Sequence, residues 1–256
     1  MTRLHRAAAQ GFEAGAAVYA ASRPDYPAGL DAWLKDSLGL GPGALALDLG
    51  AGTGKFTPRL VATGARVTAV EPVAAMRAEF ARAAPAVPVV AGEAEAIPFP
   101  DGRFDAVVCA QAFHWFATPP ALAEIRRVLK IGGALGLVWN VRDERVPWVA
   151  ALAAALRPYE DDAPRHESGA WRRVFPAPGF SALDERRFAY GHEGPAEQVI
   201  VDRVLSISYV AARPAPEQAE IADRIRMLIA ATPDLAGRAR VVFPYETIAC
   251  SCRRLA

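Results

Sequence analysis

Cysteine is scarce. There are three in 256 residues, Cys109, Cys250 and Cys252. So few exclude a disulfide framework and suit a reducing compartment. Cys250 and Cys252 lie two apart; on a strand they share a face, in geometry poor for bridging each other. Cys-x-Cys without further ligands is a weak metal site, so two buried strand cysteines are expected and no metal. Long apolar runs are also missing. No window approaches the roughly 20 apolar residues of a membrane span, and MTRLHRAAAQGF at the N-terminus has no secretory pattern. A cytoplasmic protein without a membrane partner is expected. An excess of charge is missing too: Lys+Arg number 29, Asp+Glu 28, for a net charge of +1. With no basic field, nucleic acid is a poor partner. What the chain does have is apolar content, 52% against 22% charged, enough for a sizeable core.

The chain punctuates itself. Ser22-Arg23-Pro24-Asp25-Tyr26-Pro27 breaks a helical N-terminal stretch. Leu30, Trp33, Leu34 and Leu38 then recur at helical spacing until Gly39 to Gly43. Short apolar runs follow at 44–49, 66–70, 87–90, 104–110 and 134–139, separated by helical segments at 56–62, 74–84 and from Thr118 to Gly132-Gly133. Alternation at this pace predicts a parallel sheet with helices on both faces. Ligands of such sheets bind outside the carboxyl ends of the strands, here Asp48 to Gly54, Glu71, Gly92 to Glu95, Ala110 to Trp115 and Asn140. Beyond residue 141 the pattern loosens. Helices are expected at 148–156, 197–210 and 217–230, an aromatic, basic, proline-broken stretch at 172–180, and a terminal strand over 240–253 with a bulge at Pro244.

The stretch ALDLGAGTGKF, residues 46–56, sets glycines at alternate positions after an aspartate. It is not a phosphate loop, because Phe56 stands where Ser or Thr is required. It is not a dinucleotide fingerprint either: the third glycine falls on Lys55 or on Thr57, according to where counting begins. A pyrophosphate also disfavours a carboxylate beside its helix N-terminus, whereas Asp48 suits a ligand with cationic groups. S-adenosylmethionine carries two, its sulfonium and its α-ammonium. Glu71, 23 residues on, ends the next strand, where an acid accepts from ribose hydroxyls.

Asp48-Leu49-Gly50-Ala51-Gly52-Thr53-Gly54, Val70-Glu71-Pro72, Gly92-Glu93-Ala94-Glu95-Ala96-Ile97-Pro98-Phe99, Phe104-Asp105-Ala106-Val107-Val108 and Val128-Leu129-Lys130-Ile131-Gly132-Gly133 resemble the class I S-adenosylmethionine-dependent methyltransferases, small-molecule branch. The likeness covers about residues 44–140. Tyr19 and Arg23 to Pro27 are similar to a subgroup that includes trans-aconitate methyltransferase-like proteins. The resemblance implies an α/β, Rossmann-like, seven-stranded, mostly parallel sheet whose last strand, residues 240–253, runs antiparallel, plus a helical cap. It divides the chain into a lid (1–41), a cofactor-binding core (42–144), an acceptor-side cap with strand six (145–235) and the terminal strand (236–256). It implies that Asp48, Gly50, Ala51, Gly52, Thr53 and Gly54 hold the methionine portion of S-adenosyl-L-methionine. Glu71 and Pro72 then meet the ribose, and Met76, Glu93 and Ala94 the adenine. Glu93 stands where many relatives carry Asp, one methylene shorter. Ala110 and Gln111 reach the methionine end, and Tyr19 and Arg23 the cofactor from the lid.

Methyl transfer from a sulfonium is an in-line displacement that chiefly needs alignment and a dry site. A base is optional, and no triad is visible. His114 is the first candidate for one, the alternative being a packed ring in an aromatic wall. Trp115, Asn140 and Arg142 are candidate acceptor contacts, Arg142 for a carboxylate; a loop salt bridge is the alternative for the last two. Trp171, Arg172, Arg173 and Phe175 either cover a planar substrate or form an ordinary helix face. The expected partner is a small-molecule acceptor, with the chain a monomer or homodimer. Competing readings are a cofactor-binding protein without transfer activity, a methyltransferase acting on RNA or protein, and a dehydrogenase.

Overall fold

In the computed structural model, residues 23–160 and 164–256 are described. They contain seven strands, β1 (Leu45–Leu49), β2 (Arg66–Val70), β3 (Val89–Val90), β4 (Phe104–Ala110), β5 (Leu129–Arg142), β6 (Asp184–Gly194) and β7 (Val241–Arg253). The longer helices are α1 (Gly29–Asp36), α2 (Thr57–Ala62), α3 (Ala74–Ala83), α4 (Pro119–Val128), α5 (Pro147–Leu156) and α6 (Ala215–Ala231). The strands form one sheet in the order β3-β2-β1-β4-β5-β7-β6. β3, β2, β1, β4 and β5 pair in parallel, and the end of the sheet turns antiparallel at β7. Gly132 N–H donates to Arg254 O, and Arg254 N–H to Gly133 O, the two-against-one pattern of a glycine bulge between antiparallel neighbours.

The chain resolves into two compact units. The larger comprises Tyr26–Asn140, Pro164–Phe188 and Thr247–Ala256; the smaller, among the described residues, 23–25, 141–160 and 189–246. In the larger unit the period of two in the strands sorts their residues by face. Ala46, Val67, Ala106, Val108, Ala134 and Val138 pack with Leu30, Trp33 and Leu34 of α1 and Leu60 of α2. Small residues on the strands make room for the large ones of α1. A Cβ at Gly136 would lie 2.6 Å from Leu38 and 3.1 Å from Trp33. The smaller unit has its own core, with Trp148, Leu152, Ile200, Ile225 and Phe243 among its buried residues.

Several sequence expectations need correction. α4 stops at Val128, not at Gly132-Gly133, because Leu129 is already extended (φ −72, ψ 144). β5 therefore starts five residues before Ala134, and Gly132 at φ +77 absorbs a register shift against β4. The third strand shrinks to two residues. The expected helix over 197–210 is a π-helical turn at Glu197–Asp202, then short helices at Arg203–Leu205 and Ser208–Ala211. Pro244 makes no bulge against β5: Gly133 meets Arg254 and Asp143 meets Pro244 in one constant register. Proline costs a ladder bond there but not the alignment. Cys250 and Cys252 are buried on β7, as expected of strand cysteines, and burial pushes both thiols up to about 12. No helix among the described residues is long and apolar enough to cross a membrane.

Candidate active site

The glycine loop joins β1 to α2. Gly50 N–H and Ala51 N–H both donate to Val70 O, at 2.9 and 3.2 Å, which carries the β1–β2 pairing past the last strand residue. Gly50, Gly52 and Gly54 have φ of +72, +57 and +82, which L-residues rarely adopt. Their surroundings differ. A Cβ at Gly50 would meet Ala112 at 2.8 Å, and one at Gly54 would meet the Phe80 ring at 2.9 Å. A Cβ at Gly52 would meet nothing within 4 Å. The loop is thus packed at both ends and open at its middle.

Two acids serve this loop, and neither is solvated. Glu71 is 6% exposed. Its Oε2 accepts from Gly52 N–H and its Oε1 from Val73 N–H, both at 2.9 Å. Burial raises its pKa, against the lowering pull of those two bonds and of Arg77. Asp48 is 1% exposed. Its Oδ2 accepts from Thr57 Oγ1 at 2.7 Å, while Oδ1 is buried with no partner. Burial lifts its pKa to about 7; the Thr57 bond opposes this and the Glu71 charge adds to it. The buried Thr53 hydroxyl likewise lacks a partner. Asp48 Oδ1 at the strand end and Thr53 Oγ1 on the loop are therefore left unsatisfied beside a carboxylate that holds the open glycine, which suits a polar, partly cationic ligand.

The segment after β4 forms the adjoining wall. Gln111 is at φ +55, a strained value for a residue that is not glycine. Its N–H bonds Val138 O at 2.8 Å and its Nε2 donates to Asn140 O at 3.2 Å. Asn140 is buried, its Oδ1 accepting from Thr247 Oγ1 at 2.5 Å. His114 Nδ1 accepts from Trp139 Nε1 at 3.0 Å. A neutral ring so bonded carries its hydrogen on Nε2, so no lone pair is left for a substrate proton. The geometry suits His114 as a ring held in place better than as a base. Trp115 is partly exposed beside it.

Behind this wall stands an aromatic stack: Trp139 lies 4.5 Å from Trp171 and 4.7 Å from His166, and Phe113 lies 6.0 Å from Phe175. Trp171 is thus a core residue, with the Arg172 guanidinium 4.5 Å from its ring centroid and paired to Glu185. His166 has both nitrogens buried without hydrogen bonds, and burial lowers its pKa.

The larger unit thus brings together Asp48, Gly50 to Gly54 and Glu71. Pro72 follows, its carbonyl taking Arg77 Nη1 at 2.7 Å. Met76 is buried on α3 and Ala94 is buried after β3, whereas the Glu93 side chain is exposed. Ala110 ends β4 and Gln111 follows it. Arg23 and Arg142 belong to the smaller unit, and Tyr19 lies outside the described residues. Thr57, the strain at Gln111 and the stacking of Trp139, His166 and Trp171 were not read from the sequence. Only Thr57 left a signal, a hydroxyl at the first turn of the helix that the loop feeds.

Residues 47–137 match the family described as Methyltransferase domain. Over almost its whole length the chain is similar to an uncharacterized methyltransferase-like protein of Schizosaccharomyces pombe, 36% identical over 244 residues and 95% of each chain. It is similar to an uncharacterized methyltransferase of Mycobacterium tuberculosis, 37% identical over 248 residues and 97% of each. Among solved structures it resembles a proposed type II methyltransferase from Anaeromyxobacter dehalogenans, at 26% identity and a TM-score of 0.69, over 91% of this chain and 97% of that one. The chain belongs to the class I, Rossmann-like methyltransferases, a family that generally draws its methyl group from S-adenosylmethionine.

Proposed function

We propose that this protein binds S-adenosyl-L-methionine at the Gly50–Gly54 loop and transfers its methyl group to a small-molecule acceptor. The observation that carries the donor assignment is Gly52, which opens onto empty space between two closely packed glycines. A backbone laid bare there admits a ligand within van der Waals reach. Glu71 holds the loop in that shape by accepting from Gly52 N–H, and each carboxylate oxygen keeps a lone pair for a ribose hydroxyl. Asp48 Oδ1 and Thr53 Oγ1 offer unfilled acceptors to a cationic head group. Pro72, Met76, Glu93 and Ala94 serve the adenine end, and Ala110 and Gln111 the methionine end.

The donor, when bound, supplies a methyl group already activated by a sulfonium. The chain's own part is to align and to dry the site. Phe116, packed edge to face on the buried Phe113, adds an apolar wall that helps to keep water out. His114 is held as a ring by the Trp139 bond to its Nδ1, and Trp115 and Asn140 bound the same side. An acceptor already ionised at neutral pH needs no base. The near-neutral charge balance and the likeness of 44–140 to the small-molecule branch support a small acceptor. The likeness of Arg23 to Pro27 supports a place near the trans-aconitate methyltransferase-like subgroup.

Calorimetric titration tests the donor assignment. S-adenosylmethionine and its demethylated product are expected to bind in the micromolar range and NAD not at all, and Glu71→Ala is expected to weaken binding by about tenfold or more, the loss of roughly one charge-assisted bond. Equal affinity in the parent and Glu71→Ala would remove Glu71 from the site; absence of heat with the donor would remove the donor.

A further inference from the structure

Arg142 closes β5 without an acid to meet it. Its Nη1 is buried and makes no hydrogen bond, and no ion pair reaches its guanidinium among the described residues. The carboxylates of Asp143 and Glu246 are taken by another arginine, and Glu144 is exposed. Arg145 Nε and Nη2 donate to Asp143 Oδ1 and Oδ2 at 2.7 and 2.9 Å, and Arg145 Nη2 lies 3.5 Å from Glu246 Oε1.

Across the ladder stands Tyr245 of β7. Asp143 N–H donates to Pro244 O at 3.1 Å, so the antiparallel register sets Arg142 opposite Tyr245. Residues so opposed point to one face, with Cβ atoms about 5 Å apart. Tyr245 is 2% exposed, and its hydroxyl too is buried without a partner. The ring of Phe243 lies 4.8 Å from that of Tyr245, and Trp148 lies 5.1 Å from Phe243. All four residues belong to the smaller unit.

A guanidinium cannot shed its proton, so a half-buried one without a counter-charge is costly. A buried hydroxyl with no partner, on the residue across the ladder, adds a second cost. Such costs are relieved when a ligand or an ordered water completes the hydrogen bonding. The groups themselves specify it. Both donate, so the ligand brings acceptor oxygens. One positive charge calls for a monoanion, and the guanidinium fork matches two coplanar oxygens. A carboxylate meets all three conditions, whereas the second charge of a phosphate would go unmatched. The flanking rings favour an apolar body.

We propose that Arg142 and Tyr245 form a binding site for an organic carboxylate with an apolar or aromatic body. This goes beyond the methyl-donor assignment and is tested without the donor, so either can fail alone. The full chain is titrated with benzoate, benzamide and inorganic phosphate, and melted without ligand. Benzoate is expected to bind at least about tenfold more tightly than benzamide or phosphate, and Arg142→Met and Tyr245→Phe each to lose about tenfold in benzoate affinity. Ligand-free Arg142→Met is expected to melt above the parent, because an uncompensated charge is gone. Tyr245→Phe keeps the ring and so reads the site independently of Arg142→Met. The proposal is overturned by absence of benzoate binding to the parent, by equal binding of benzamide, by a preference for phosphate, by unaltered benzoate affinity in the variants that fold, or by an Arg142→Met protein that melts below the parent.

Discussion

At the scale of single residues, the three loop glycines share a backbone conformation but not a reason for lacking a side chain. At Gly52 a side chain would enter open space; at Gly54 it would strike the Phe80 ring. Gly52→Val is therefore expected to fold, at a cost of about 1–2 kcal/mol for the left-handed backbone, yet to lose donor binding. Gly54→Val adds overpacking of about 1–3 kcal/mol and is expected to lose stability first. Urea unfolding beside donor titration separates the two, and a Gly52→Val protein that binds normally would show that the opening is not the ligand's path. Asp48 makes a second prediction. Its folded pKa, about 7, stands above the usual 3.8 because the carboxyl is buried. A carboxyl shifted upward stabilises the fold at low pH, and that contribution fades as pH rises from about 4 through 7, on the order of a few kcal/mol. Asp48→Asn cannot ionise, so it is expected to lose less stability than the parent between pH 5 and pH 8 and to exceed it at pH 8. Parallel stability profiles for the two proteins would show that Asp48 makes no such contribution.

At the scale of elements, what governs the sheet is the match of small strand residues to large helical ones. Gly136→Ala would press a methyl against Leu38 and Trp33, and a loss of about 1–3 kcal/mol in urea unfolding is expected; a neutral outcome would mean that α1 can slide. The same elements show what a sequence reveals. β2 and β4 were legible to the residue, since a buried strand bounded by glycine and charge has no competing period. The start of β5 was not, because Gly132 reads as a helix stop and here turns a bulge within a strand. β6 received no boundaries, since DERRFAYGHEG is half-buried or exposed throughout except at its last residue, Gly194. In the site, the loop glycines and both acids were legible as residue types at strand ends. The burial of Asp48 was not, because whether a strand-end side chain faces inward depends on register, and Thr57 comes to it only through the turn of the loop. The stack of His166 and Trp171 on Trp139 joins residues far apart in sequence, which no local period encodes.

At the scale of the whole molecule, the two compact units divide the chemistry, with the glycine loop in the larger and the Arg142–Tyr245 pair in the smaller. All three cysteines belong to the larger unit and all are buried, Cys109 with its thiol pushed well up by burial and by the charge of Asp48. The intact protein should therefore ignore alkylating reagents, and modification should track how often the larger unit opens. A donor held only by the closed form, at a hundred times its dissociation constant, is expected to slow modification about a hundredfold; mass spectrometry over time reads this directly, and an unchanged rate would mean that the thiols become accessible without the loop coming apart. Three inert sulfurs thus serve as a stopwatch for breathing, one that registers occupancy of the donor pocket before any product has been identified.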